Sequence, residues 1–229
     1  MRITETLSLS HYSWGDRKIR GRGSPHRLWR SESGSAQPKE RVHMQLMEAI
    51  VTRRATRKFR DEPVPQERIE CSIQAANLAP SSMNRQPWAF AVLADADRIA
   101  DYGERARQWL LQILPENAET AGLLHLLRDS DYALFHGAPV LVLILATSAG
   151  QQAAEDCCLA GQNFMLAACD EGLGTCWIGL ARPWLNLPAI KSELKIPENY
   201  HVVAPIILGY PAGPPEMHER NPVEIHWLE

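Results

Sequence analysis

No apolar run in this 229-residue chain is long enough for a membrane-spanning helix. The longest clean apolar run is Pro139 to Ala146, far short of the roughly 18–20 residues a transmembrane helix needs, and it reads as a buried strand. Cysteine is sparse and poorly spaced for structural use. The five residues, at 71, 157, 158, 169 and 176, are odd in number, contain no C-x-x-C pair and include two neighbours that cannot readily bridge. That pattern argues against a disulfide framework or zinc site, no metal is expected, and the thiols read as reduced in a cytoplasmic protein. Positive charge is missing from most of the chain. Residues 1–43 carry nine Lys/Arg against four Asp/Glu, whereas the remaining residues carry fifteen against twenty-three. An acidic body has no basic face for phosphate neutralisation, which argues against nucleic acid as a partner. Positive groups within it are local spots suited to small anions.

The length fits one domain with a full core, and no internal repeat is apparent. Residues 1–43 do not look like part of that core. They are rich in Ser, Gly, Arg and His, with breakers at Gly15, Gly21, Gly23, Pro25, Gly34 and Pro38. A basic, acid-poor segment of this kind reads as a targeting presequence, as an RNA-binding arm, or as a disordered tail or upstream extension. The tail is favoured because the regular pattern starts at Met44, giving a basic extension over 1–43 and a folded domain over 44–229.

Leu46, Met47, Ile50 and Val51 recur at helical spacing and lead into Arg53-Arg54-Ala55-Thr56-Arg57-Lys58-Phe59. Arginine at a helix C-terminus is explained in part by the helix dipole. That accounts for Arg53 or Arg54 and leaves Arg57 unexplained. Pro65 suits the start of a second helix, and Pro80 disfavours helix at Ala79. Trp88–Leu93 reads as a strand, residues 95–114 and 118–128 as helices, Pro139–Ala146 as a second strand, and 149–172 as a long helix. Along that helix Ala154, Cys158, Gly161, Met165 and Ala168 form a stripe of mostly small groups, explained equally by core packing or a dimer seam. Gly174–Gly179 is a strand or loop, 183–195 a short helix, and Val202–Tyr210 a third strand. Strands separated by helices, some apolar on both faces, point to a three-layer α/β arrangement.

One helix length after the arginines comes Pro80-Ser81-Ser82-Met83-Asn84-Arg85-Gln86-Pro87-Trp88. Ser, Asn and Pro make turns in any protein. Following an RRxxR cluster, however, this order supplies hydroxyls and amides for a flat polar heterocycle, while guanidinium groups supply permanent charge and bidentate geometry for a phosphate. Together the two segments resemble the signature of the nitroreductase-like FMN-dependent oxidoreductases, over about Met44 to Glu229. The resemblance implies a nitroreductase-like α+β three-layer sandwich: a mixed central sheet flanked by helices, in an intertwined homodimer with FMN at the subunit interface. It implies that Arg53 holds the phosphate, that Arg54 and Ala55 line the site, and that Arg57 faces the N1/O2 edge of the ring, where positive charge stabilises the anionic reduced form. Pro80, Ser81, Ser82, Asn84 and Gln86 would approach the ring largely from the other subunit. Backbone N–H groups from Ile178 through Gly179 to Leu180 would reach N5, and Arg220 would complete the phosphate site, with His218 standing where the family commonly has Lys or Arg.

The activity implied is hydride transfer from NAD(P)H to flavin N5, then reduction of a small electron-poor acceptor such as a nitroaromatic or quinone, in ping-pong order. No catalytic acid or base residue is required. A dehalogenase, a flavin-cleaving enzyme or an oxidase on the same fold, or a flavin-binding sensor without turnover, are the rival readings. The lid segment Ala100–Asp131 would separate the enzymes, and its Tyr102, Arg105, Arg107, Trp109 and His125 give no decisive pattern. The other histidines, His136 and His201 among them, have no motif around them and read as structural.

Overall fold

The computed structural model describes residues 44–214 and 219–228; the basic extension 1–43 and His218 lie outside the described residues. The elements run α1 (Leu46–Thr52), α2 (Gln66–Asn77), β1 (Trp88–Leu93), α3 (Ala96–Ile113), α4 (Ala121–Arg128), β2 (Val140–Ala146), α5 (Gln151–Asp170), β3 (Gly174–Trp177), α6 (Arg182–Leu185), α7 (Pro188–Glu193) and β4 (His201–Gly209). The helix expected over 183–195 is thus two short helices, because Pro188 opens a new one. No helix among the described residues is long and apolar enough to cross a membrane.

The sheet order is β1-β2-β4-β3. Each of its three ladders is antiparallel, even though helices separate every consecutive pair of strands. The parallel component of the expected mixed sheet is supplied outside these strands, by a bridge between Ala55 and Thr175. β2 lies in the middle with all seven residues buried. Its alternation divides the core into two halves. Leu141, Leu143 and Leu145 join a cluster with residues of α3, α4, α6 and α7. Val140, Val142, Ile144 and Ala146 join another with α2 and α5. Each fully buried aliphatic side chain contributes about 1.5–3 kcal/mol, so this strand anchors both layers.

β4 contains two irregularities with local causes. Ile144 pairs with Ala204 but Leu145 with Val202, so Val203 is an extra residue, and both Val203 and Ala204 face the α5 side. Pro205, in the same strand, lacks an N–H for the ladder. Its carbonyl accepts from Ile178 N at 2.8 Å, whereas the Ile178 carbonyl is turned away to accept from Ala181 N at 3.1 Å. The proline therefore stands where the neighbouring strand offers no acceptor.

Two surfaces are apolar but outward-facing. On α1 only Ala49 is buried, and Leu46, Met47, Ile50 and Val51 are 43–66% exposed. In the C-terminal segment Val223, Ile225, Trp227 and Leu228 are 61–95% exposed. The stripe expected on α5 is present with a shifted register. Gly161, Met165 and Ala168 are buried as expected, but Cys158 is exposed, and the stripe begins with Ala153, Asp156 and Cys157. The phase is set by Phe164, the largest side chain on that helix to be fully buried.

A candidate flavin site

The arginine segment leaves α1 as extended chain and is fastened to the β3 edge. Thr56 N–H donates to Thr175 O at 2.9 Å, Arg60 N–H to Tyr210 O at 2.8 Å, and Ala212 N–H to Lys58 O at 3.0 Å. Two glycines permit this approach. A Cβ on Gly174 would lie 2.4 Å from Thr56 Oγ1, and one on Gly209 would lie 2.8 Å from Phe59 Cδ1. These glycines pair across β3 and β4, so the segment lies along a strip of sheet without side chains.

Arg53 and Arg54 line a cleft of about 200 Å³ together with Thr52, Thr56, Cys169 and Gly172–Thr175. Arg54 donates one Nη to Arg53 O at 2.7 Å, while its buried Nε has no hydrogen-bond partner. Neither Arg53, Arg54 nor Arg57 has a carboxylate partner among the described residues. By contrast, Arg60, Arg68, Arg105, Arg107 and Arg128 each pair with a carboxylate. A buried N–H left over beside unneutralised guanidinium groups is what a phosphate monoester would complete, since it brings charge and several acceptor oxygens. The donor set fits the phosphate of the expected cofactor.

Arg57 is exposed, and its charge reaches the half-buried Tyr132 and His136 and the buried Cys176. The rings of Tyr132 and His136 meet edge-on with centroids 5.8 Å apart. Burial, and then the charge of Arg57, hold the His136 imidazole below its ordinary value. A histidine kept neutral in the fold costs stability once the unfolded chain can take up its proton. Stability on this account is whole above about pH 6.5 and is lost as pH falls toward the folded-state value. Thermal melts from pH 8 to 5 are expected to show this slope, and His136→Gln to flatten it. Burial pushes Cys157 up to about 12 and raises Cys158 and Cys176; Cys176 is buried, which fits a packed core thiol.

Further down the same edge, Ile178 is buried and its N–H is taken by Pro205. The donors this loop can offer a ligand are therefore those of Gly179 and Leu180. They open a short 3₁₀ turn, Gly179–Ala181, whose first N–H groups have no intrahelical acceptor. Arg220 is exposed and makes no hydrogen bond or ion pair with the described residues.

The turn from Pro80 is elsewhere. Pro80, Asn84 and Gln86 are exposed, and Ser81 and Ser82 are half-buried. Met83, Asn84 and Gln86 have φ of 55°, 54° and 48°, a costly conformation for side chains other than glycine. The turn is knitted by Gln86 N–H to Ser81 Oγ and by Gln86 Nε2 to Asn84 Oδ1, both at 2.9 Å. Ser82 N–H donates to both carboxylate oxygens of Asp156, near the start of α5. Cys169, at the other end of α5, lines the arginine cleft. At about 1.5 Å per residue, Asp156 and Cys169 stand about 20 Å apart along that helix. The sheet gives a similar answer, because β1 and β3 are its opposite edges. Trp88 lies level with the start of β4, and Thr175 with its end. One chain thus brings Arg53, Arg54 and Ala55 to one corner and Ser81, Ser82, Asn84 and Gln86 to the diagonally opposite one. The positioning groups with no local sequence signal are Thr56, Gly174 and Asp156; the only hint of Asp156 is an acid within an otherwise apolar, small-residue stripe.

The Nitroreductase family model matches residues 50–210. A Methanothermobacter thermautotrophicus protein named for NADH dehydrogenase and NAD(P)H nitroreductase activity is 31% identical over 188 residues, 80% of this chain and 86% of the relative. An iodotyrosine deiodinase from Thermotoga neapolitana is 25% identical over 80% of this chain and 97% of its own. Among solved structures, an FMN-bound nitroreductase from Bacteroides fragilis superposes with a TM-score of 0.68 at 25% identity, covering 81% of this chain and all of the other. The match takes in both the clamped arginine segment and the strained turn with the sheet between them, and the chain belongs to the nitroreductase family.

Proposed function

We propose that this protein is an FMN-dependent oxidoreductase that works as a homodimer, taking reducing equivalents from NADH or NADPH and delivering them to an electron-poor acceptor such as a nitroaromatic or quinone. The observation that carries the reading is the separation of two half-sites within one chain. The arginine cleft at one corner and the Ser81–Gln86 turn at the other cannot meet on one ligand about 20 Å apart, but a second copy supplies each corner with its complement. The outward apolar face of α1 and the apolar C-terminal segment suit burial against that copy, since contiguous exposed apolar surface marks interaction sites. The working body is residues 44–229, with 1–43 as an appended basic extension; reduced thiols suit the cytoplasm.

FMN, when bound, supplies the two-electron hydride chemistry at N5 that no side chain can perform. The chain's own residues bind and orient. Arg53 and the unpartnered Nε of Arg54 hold the phosphate, Ala55 lets backbone line the site, and Arg57 places positive charge at the N1/O2 edge. Gly179 and Leu180 offer backbone N–H groups toward N5. Ser81, Ser82, Asn84 and Gln86 of the second copy close over the ring, and Arg220 lies on the tail expected to complete the phosphate site. The two substrates use one open face in turn, which gives ping-pong kinetics.

The lid segment favours an acceptor without fixed negative charge. Arg105 grips Glu193 through two bonds of 2.8 Å, and Arg107 is held by Glu104 and Leu127 O. Tyr102 is buried against Trp184. Those cations serve the fold and are not displayed to a carboxylate-bearing substrate such as an amino acid, which weighs against deiodination. Titration with FMN during analytical ultracentrifugation tests the assembly. The expected result is a dimer binding one FMN per protomer; stoichiometric FMN on a monomer would refute the shared site.

A further inference from the structure

We propose that Asp156 is a positioning residue of this site: a carboxylate buried beneath the Ser81–Gln86 turn that fixes, through the Ser82 amide, the shape in which one subunit meets the flavin held by the other. The proposal rests on the homodimeric FMN reading above. Asp156 is only 3% exposed. Ser82 N–H reaches its two oxygens at 3.2 and 3.3 Å, and Gln152 Nε2, one helical turn earlier, donates to Oδ1 at 3.3 Å. No cation pairs with it among the described residues. A buried carboxylate without a countercharge is costly and does little for packing, so its retention points to the bond it makes.

That bond falls where the backbone needs it. Three of the five residues from Ser82 to Gln86 are held at positive φ, each at a cost of about 1–3 kcal/mol, and such strain persists only where surrounding contacts over-determine it. The other hydrogen bonds of the turn are local: Asn84 N–H to Ser81 O, Arg85 N–H to Ser82 O, the two donated by Gln86, and Trp88 N–H, at the adjoining start of β1, to Gln86 O. Among the described residues, the bond to Asp156 is the only hydrogen bond that ties the segment from Ser81 to Gln86 to a part of the fold distant in sequence. Removing it frees the turn to relax, and the ligand must then supply the ordering.

Because the turn serves the partner's flavin, the effect of Asp156 acts in trans, and that is testable. Subunits carrying Asp156→Ala and Arg53→Ala, each with its own affinity tag, are produced separately and together, and FMN affinity is read by flavin fluorescence quenching. The Asp156→Ala homodimer is expected to bind FMN about 10- to 100-fold more weakly than wild type, the range for a lost hydrogen bond to a charged group, and the Arg53→Ala homodimer about 30- to 150-fold more weakly. The mixed dimer is expected to keep one site of wild-type affinity, built from the intact arginines of one subunit and the intact turn of the other. A mixed dimer with no tight site would place the effect of Asp156 within its own subunit and overturn the proposal, as would wild-type affinity in the Asp156→Ala homodimer. Should that variant not fold, Asp156→Asn keeps the shape and one acceptor oxygen. It replaces a charge-assisted bond with one about half as strong, and about 3- to 10-fold weaker binding with the same trans pattern is expected; unchanged affinity overturns the proposal. A wild-type protein that binds no FMN would instead overturn the functional reading.

Discussion

Gly174→Ala is expected to cost the protein both its flavin and part of its stability, although it adds a single uncharged carbon. The new Cβ would lie 2.4, 2.6 and 2.7 Å from Oγ1, Cγ2 and Cβ of Thr56. The last of these is fixed to the backbone, so turning the Thr56 side chain cannot relieve the clash. The arginine segment must lift from β3, breaking the 2.9 Å bond from Thr56 N–H to Thr175 O. Overpacking of this kind costs about 1–3 kcal/mol, which for a chain of this size lowers the melting temperature by about 2–12 °C. A shift of about 1 Å in the binding groups costs about 100-fold in turnover. Gly122→Ala is the control. It lies in α4, where an added Cβ meets nothing, and it is expected to be neutral or stabilising by up to about 1 kcal/mol. Equal melting temperatures and FMN affinities for the two variants would mean that the Gly174 contact does not position the site.

Arg53→Ala is expected to leave the fold intact and abolish tight FMN binding. Arg53 is half-buried, has no carboxylate partner among the described residues, and makes no hydrogen bond through its side chain that the fold depends on. Its removal therefore costs little stability. Loss of one partner from a buried charge-assisted pair costs about 2–3 kcal/mol, so the dissociation constant for FMN rises about 30- to 150-fold. Arg57→Ala should behave differently. Its guanidinium is exposed and is read as facing the ring, so binding weakens less and turnover falls more. Arg57→Lys keeps the charge without the planar fork and recovers part of the rate. Titrations and steady-state kinetics on the three variants separate the roles. Unchanged FMN affinity in Arg53→Ala would remove the phosphate assignment.

Much of the fold is legible in the sequence because its signals are local. Helical spacing, Pro65, Pro80 and the apolar runs put most elements within a few residues of where they lie. What stayed hidden is set at long range. Antiparallel pairing of β1 and β2 across two intervening helices leaves no trace in either strand. The outward face of α1 follows a perfectly helical apolar pattern, and only the surroundings decide whether that pattern meets a core or a second chain. The site divides in the same way. Both motifs stand out as residue orders, but their placement at opposite corners is a property of the sheet. Asp156 bonds an amide 74 positions away, a contact no window of sequence contains. Of the three amides expected near N5, that of Ile178 is taken by the ladder bond to Pro205, which leaves Gly179 and Leu180 for the proposed contact.

The most direct test of the central claim is an absorbance spectrum of the purified protein, reconstituted with FMN if needed, followed by anaerobic addition of NADH and then of NADPH. The account predicts visible flavin bands that bleach within seconds with at least one nicotinamide and return on adding a nitroaromatic or a quinone. Bands that persist with both nicotinamides would contradict the reductase assignment, and a protein that takes up no FMN would contradict the site itself.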